Sequence, residues 1–168
     1  TELTREDVAD YGLEIQWFDS HLGRMLAELK KRGELLNTIV VVTADNGMAF
    51  PRAKANNYEY GVHMPLIIAW PKGIEAGERR LDDFVSLIDL APTFLEAADL
   101  TPPAMMTAQS LMEIFFSGDD PVGRPAAFIA MERHDGCRKG GKGYPCRAIR
   151  TEDYLYIHTF EPTRWPSG

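Results

Sequence analysis

A chain of 168 residues, 45% hydrophobic and 26% charged, is long enough to bury one core of ordinary size and has the composition of a globular protein. Its net charge of -7 and its lack of a long Lys/Arg run exclude a sequence-independent grip on nucleic acid, so an anionic ligand must be held by a local group of cations. No run of 18 apolar residues exists to span a bilayer, and the first residues lack the basic-then-apolar pattern of a signal peptide. The chain opens on Thr1 without an initiator Met, which leaves room for an upstream segment bearing a targeting signal.

Thr4 with Asp7 three positions on has the form of a capping box, and Val8, Tyr11, Ile15, Phe18, Leu22, Met25 and Leu29 follow at steps of three and four. This spacing predicts an amphipathic helix over about 5–32, with Lys30, Lys31 and Arg32 at its negative end and Gly33 as terminator. Asn37–Thr43, N-T-I-V-V-V-T, is a β-branched run suited to a parallel strand buried on both faces. A long loop, 48–62, separates it from a second such strand, Pro65–Trp70. A helix is expected over about 88–98, where Pro92 falls in the first turn, then a short helix over 108–116 and a Gly/Asp/Pro loop over 117–125. Beyond it the period becomes that of strands at 126–131, 144–150 and 154–159, the last two forming a hairpin. The pattern predicts an α/β fold with packed helices and a partial parallel or mixed sheet over 1–105, followed by a small antiparallel subdomain over 106–168.

The first place to look for chemistry is the carboxyl end of the first strand, where Ala44, Asp45, Asn46 and Gly47 turn abruptly polar. Asp45 and Asn46 offer hard oxygen ligands of the kind Ca²⁺ or Mg²⁺ takes, although D-N-G is also strong turn chemistry. Arg52 and Lys54 lie on the following loop, within reach of an anion bridging from a metal at Asp45. Glu132, Arg133 and His134 end a strand and open a Gly-rich loop, a placement that suits substrate recognition at a cleft rim. Cys137 and Cys146 fit neither a zinc knuckle nor a redox C-x-x-C; they are either separate thiols or, in an oxidising compartment, a loop disulfide.

The run V-V-V-T-A-D-N-G at Val40–Gly47, Lys54 four positions before Tyr58-Glu59, P-L-I-I at Pro65–Ile68 and S-L-I-D-L-A-P-T-F-L at Ser86–Leu95 closely resemble the sulfatase family. These enzymes depend on formylglycine and belong to the alkaline phosphatase superfamily. Gly143–Ile157 is similar to the terminal hairpin of bacterial sulfatases, and the resemblance points toward sugar sulfatases and heparan N-sulfatase-like enzymes. It implies that Asp45 and Asn46 bind a divalent cation, calcium with magnesium as the other candidate, and that Lys54 contacts the sulfate. His63 stands where many relatives carry Arg, and is either a supporting site residue or a satisfied core histidine.

What is missing bears on activity. Neither C-R-K-G-G at Cys137 nor C-R-A-I-R at Cys146 matches the C-x-P-S-R-like motif that yields formylglycine, and the tandem metal-binding Asp pair near the family's amino terminus is absent. The resemblance therefore implies the carboxy-terminal part of a hydrolase of sulfate esters or sulfamates of a carbohydrate, inactive as this chain alone and periplasmic or secreted. Two other readings stand beside it: a phosphate or phosphonate monoester hydrolase of the same superfamily, and a non-catalytic glycan-binding or interaction module. With its amino-terminal strands absent, such a fragment is expected to expose sheet edges at 39–42 and 66–69 and to self-associate.

Overall fold

The computed structural model describes residues 1–74, 82–116, 124–134, 136 and 138–164. The chain forms two compact units, Thr1–Val40 with Ile68–Ala76, and Val41–Ile67 with Gly77–Gly168.

The first unit is dominated by helix α1, Glu2–Lys31, which at 1.5 Å per residue is about 45 Å long. Its cap lies a turn earlier than the Thr4–Asp7 box suggests: Thr1 Oγ1 accepts the Thr4 N–H at 3.2 Å, so Thr1 is the N-cap. The far end follows the expectation. Gly33 takes a φ of 75°, its N–H donates to Lys30 O at 3.1 Å and that of Glu34 to Leu29 O at 3.0 Å, so the last carbonyls are satisfied. No residue of α1 is buried, and its apolar stripe is largely exposed, with Trp17 67% accessible. A short 3-10 turn, Leu35–Asn37, takes the first residue of the expected strand, whose Asn37 N–H is drawn back to Glu34 O at 3.0 Å, and the strand begins only at Val40. Lys72 Nζ donates to the Asn37 side chain at 3.4 Å.

Strands β1, Val40–Thr43, and β2, Leu66–Ala69, are hydrogen-bonded neighbours. Between them the chain makes a tightly folded loop that ends in a single turn of helix, α2, Glu59–Val62.

In the second unit, S-L-I-D-L-A-P-T opens with a 3-10 turn, Leu87–Asp89, that runs into helix α3, Leu90–Ala97, with Pro92 in the first turn as expected. The Asp89 carboxylate is buried and accepts the Ser86 N–H at 2.9 Å, the Gln109 N–H at 3.0 Å and Arg124 Nη1 at 2.6 Å. Arg124 Nη2 then donates to the Gln109 and Ser110 carbonyls, and the Leu111 N–H donates to Thr93 Oγ1. These bonds hold residues 109–111 in a non-helical strap, so helix α4 is Met112–Phe116 and does not begin at 108. Most of the expected loop over 117–125 lies outside the described residues, Arg124 and Pro125 excepted.

The three-stranded sheet is antiparallel, in the order β3 Ala126–Met131, β4 Cys146–Thr151 and β5 Leu155–Thr159. Its register pairs Ala126 with Thr151 and Met131 with Cys146, then Cys146 with Thr159 and Arg150 with Leu155. Alternation sets its inner face: Cys146 and Ala148 are buried while Phe128, Tyr156 and His158 point outward. Among the described residues, Cys146 and Ala148 make up the buried apolar core with Leu111, Ile114, Phe115, Tyr144 and Ala53. The fold is a mixed α/β arrangement with small sheets, as the sequence pattern predicts.

Candidate functional site

The chain bends at Asp45 and Asn46 directly after β1, leaving Asp45 exposed and Asn46 half-buried. Among the described residues, no protein group is hydrogen-bonded to either side chain. Gly47, next along, is buried, and a Cβ there would collide with the Tyr60 carbonyl and Gly61 Cα. Gly61 in turn has no room for a side chain, because a Cβ would strike the carbonyls of Ala53 and Asn56. Two glycines thus let three backbone segments touch: the end of β1, helix α2 and the loop that carries Lys54.

That loop is built from short reverse bonds. Phe50 N and Lys54 N both donate to Met48 O, at 2.8 and 3.0 Å, and Ala53 N donates to Phe50 O at 3.1 Å. Ala53 is fully buried at its centre, whereas Lys54 is exposed and its ammonium has no partner among the described residues. Arg52 and Ala55 flank it at φ 63° and 65°. Left-handed backbone costs a non-glycine residue about 1–2 kcal/mol, so the loop stores strain on both sides of the lysine. Arg52 lies 5.8 Å over the Tyr58 ring, a contact that turns its guanidinium toward the base of the loop.

The loop is tied to the antiparallel sheet through residues that sequence reading treated only as a family signal. Glu59 Oε2 accepts Arg150 Nε of β4 at 2.9 Å and Glu59 Oε1 is 2.9 Å from His63 Nδ1. Burial, the largest single influence on Glu59, raises its pKa, but the hydrogen bonds and charges of Arg150 and His63 together outweigh it and hold it below the ordinary carboxylate value. His63 is not a core histidine: its side chain is 76% exposed. Asn56, Asn57 and Tyr58 also share a cavity of about 60 Å³ with Met131, Tyr144, Cys146, Ile157 and Thr159. Arg150 could have been singled out only as a cation on a strand; nothing in its spacing names Glu59, 91 residues away.

Arg133 and His134, the exposed and half-buried residues after β3, lie at the loop that precedes β4. Cys146 is a buried free thiol, and Cys137 lies outside the described residues. No group of three or more His, Cys, Asp or Glu able to hold a metal occurs among the described residues. Asp45 and Asn46 fit a hard divalent ion by donor chemistry but fall short of the roughly six to eight oxygens Ca²⁺ takes, so they fit as part of a site and not the whole of one.

A mixed α/β layer with a polar strand end, followed by a three-stranded antiparallel sheet, defines the alkaline phosphatase-like class of hydrolase folds. The sulfatase profile matches residues 2–100, and that of the N-sulphoglucosamine sulphohydrolase C-terminal region matches 53–166. The chain belongs to the sulfatase family, whose members are sulfuric ester hydrolases and whose sites work with a metal ion and a formylglycine.

It is similar to an N-acetylglucosamine-6-O-sulfatase of Bacteroides thetaiotaomicron, 34% identical over 158 residues that cover 90% of this chain and 27% of that protein. It is also similar to the N-sulphoglucosamine sulphohydrolase of Homo sapiens, 33% identical over 167 residues covering 94% of this chain and 32% of the relative. Among solved structures, a protein in complex with its substrate D-glucosamine-2-N,6-O-disulfate matches with a TM-score of 0.73 and 33% identity, over 84% of this chain and 29% of that one. The chain thus spans about a quarter to a third of the length of these relatives.

Proposed function

We propose that the protein carrying this chain hydrolyses sulfate esters or sulfamates of a carbohydrate, and that this chain contributes part of the metal and sulfate site but not the nucleophile. The observation that carries the reading is the glycine-mediated contact of β1, α2 and the strained loop, which draws Asp45, Asn46 and Lys54 into one neighbourhood within a sulfatase-family chain. Asp45 and Asn46 are assigned to a divalent cation, calcium in preference to magnesium because the exposed bend imposes no octahedral cage. Such an ion, when bound, neutralises charge on sulfate oxygens, and formylglycine supplies the attacking oxygen.

The chain's own part is electrostatic. The Lys54 ammonium, held on a loop that need not reorganise, donates to oxygens on which negative charge grows as the S–O or S–N bond breaks. Arg52, His63, Arg133 and His134 are assigned to binding the sugar and its anionic groups. The same cation and metal would serve phosphoryl transfer, so the leaving group and not the site half described above separates a sulfatase from a phosphonate monoester hydrolase. The whole protein is assigned to the periplasm or the outside of the cell, a reading supported by a Drosophila melanogaster relative described as an extracellular sulfatase homolog.

The test is sulfate release from 6-O-sulfated and N-sulfated glucosamine by the full-length gene product, its Lys54→Ala variant and the 168-residue chain. Lys54→Ala is expected to lower kcat/KM by about 10²–10³ with the melting temperature unchanged, and the chain alone to release nothing. Full activity in Lys54→Ala removes the assigned role. Faster turnover of a phosphonate monoester reassigns the reaction, and sugar binding without any turnover points to the non-catalytic module.

A further inference from the structure

Lys54 sits on a loop that needs outside contacts to keep its shape. Arg52 and Ala55 near it both take left-handed backbone, at φ 63° and 65°, and such residues persist only where the surrounding structure over-determines them. Inside the loop the restraints are short-range: the Lys54 N–H donates to Met48 O at 3.0 Å, and the Asn56 side-chain amide donates to Lys54 O at 3.2 Å. Helix α2 supplies an outer restraint, because its Gly61 packs against the carbonyls of Ala53 and Asn56, on either side of the lysine. What fixes α2 therefore fixes the base of Lys54.

Glu59, the first residue of α2, is engaged at both carboxylate oxygens. Oε1 lies 2.9 Å from His63 Nδ1, and Oε2 accepts Arg150 Nε at 2.9 Å. His63 closes α2 and moves with it, so of these two bonds the second is the anchor. Arg150 belongs to β4, in register with Ala127 of β3 and Leu155 of β5. Its guanidinium is set independently of Glu59: Nη1 donates to Glu152 O at 2.9 Å, and the group lies 5.9 Å over the Phe84 ring.

Packing is a poorer tie between this loop and the sheet. Asn57 and Tyr58 border the cavity of about 60 Å³ that Met131 and Ile157 also line, and the buried Asn57 Nδ2 has no hydrogen-bond partner among the described residues. The ion pair itself is partly open to water, 28% and 43% exposed at its two side chains, so it contributes little to global stability. Its leverage is on geometry. We infer that Arg150 is a positioning residue for the reaction: through Glu59 and Gly61 it holds the Lys54 loop so that the ammonium meets the sulfate oxygens of the transition state without rearrangement. This rests on the role proposed for Lys54 and adds the residue on the antiparallel sheet that maintains it.

The test uses the full-length protein with Arg150→Met, Arg150→Lys and Glu59→Gln, each alone and combined with Lys54→Ala. Sulfate release from 6-O-sulfated and N-sulfated glucosamine gives kcat and KM, and amide hydrogen exchange gives the protection of residues 48–58. Arg150→Met is expected to lower kcat about tenfold with KM held within about twofold. Exchange over 48–58 should quicken about tenfold while β3, β4 and β5 stay protected, and Arg150→Lys should recover part of both effects. In the Lys54→Ala background the same substitution should cost nothing further in kcat, because its effect passes through the lysine. Should Arg150→Met fail to fold, Glu59→Gln decides by the same measures. Losses that multiply in the double variants, or unchanged exchange over 48–58, overturn the inference, as does a fall in kcat that only tracks the melting temperature. Full activity in Lys54→Ala, or no sulfate release from the wild type, sinks the proposed function and this inference with it. Failure of the inference alone is distinct: Lys54→Ala is impaired and Arg150→Met is not.

Discussion

At Asp89 one carboxylate serves Ser86, Gln109 and Arg124 at once, and both it and its cation are nearly dry, 7% and 11% exposed at the side chain. Removing either partner leaves the other buried without compensation, a change that costs about 3–5 kcal/mol. Asp89→Ala is therefore expected to lower the denaturation midpoint of the full-length protein far more than loss of any exposed pair, and urea unfolding monitored by circular dichroism checks it. Glu59 works at a smaller scale, since 43% of its side chain is exposed and an ion pair of that kind contributes under about 1 kcal/mol. Its pKa is lowered in the fold, so its contribution is present above the ordinary carboxylate value and is lost as pH falls through the lowered one. Melting temperatures of wild type and Glu59→Gln should then differ at neutral pH and converge on acidification; parallel profiles would show that the Arg150 and His63 contacts contribute nothing.

Among the elements, the short helix α2 matters through what it allows to approach it. Gly47 and Gly61 seat it between the end of β1 and the Lys54 loop, and neither contact survives a methyl group. Gly61→Ala should cost about 1–3 kcal/mol through overpacking and should lower Lys54-dependent turnover beyond what the stability loss explains. A melting curve taken beside sulfate release at a temperature where both forms stay folded separates the two effects. Element identity was largely legible: each expected helix and strand exists, because period and turn residues act locally. Boundaries moved where side chains from elsewhere took hold of the backbone. The strap at 109–111 belongs to Asp89, Thr93 and Arg124 and not to a helix, and no local signal announces partners 14 to 20 positions away.

For the molecule as a whole, the exposed apolar surface is the dominant physical fact. Leu13, Ile15, Trp17 and Phe18 on α1, Ile67 on β2 and Phe128 on β3 are all more than half exposed. Isolated apolar residues on a surface are ordinary, but a helix of 30 residues with none buried is not. Produced alone, the 168-residue chain is expected to self-associate, with sedimentation coefficients that rise with concentration, and Trp17→Glu with Phe18→Glu should shift it toward monomer. Concentration-independent sedimentation of the unaltered chain would refute this.

The sequence by itself determined the alternation of helix and strand, the polar end of β1 and the order of motifs, because each of these is written in short-range period and residue chemistry. It also determined that neither cysteine lies in a formylglycine motif. Only the tertiary structure decided that Glu59 joins Arg150, that Asp89 joins Arg124, and that Gly141 lies beside the Arg133 guanidinium. Those pairings depend on which backbones approach closely enough to bury a charge or exclude a methyl group, and close approach is a property of packing in three dimensions that linear spacing does not encode.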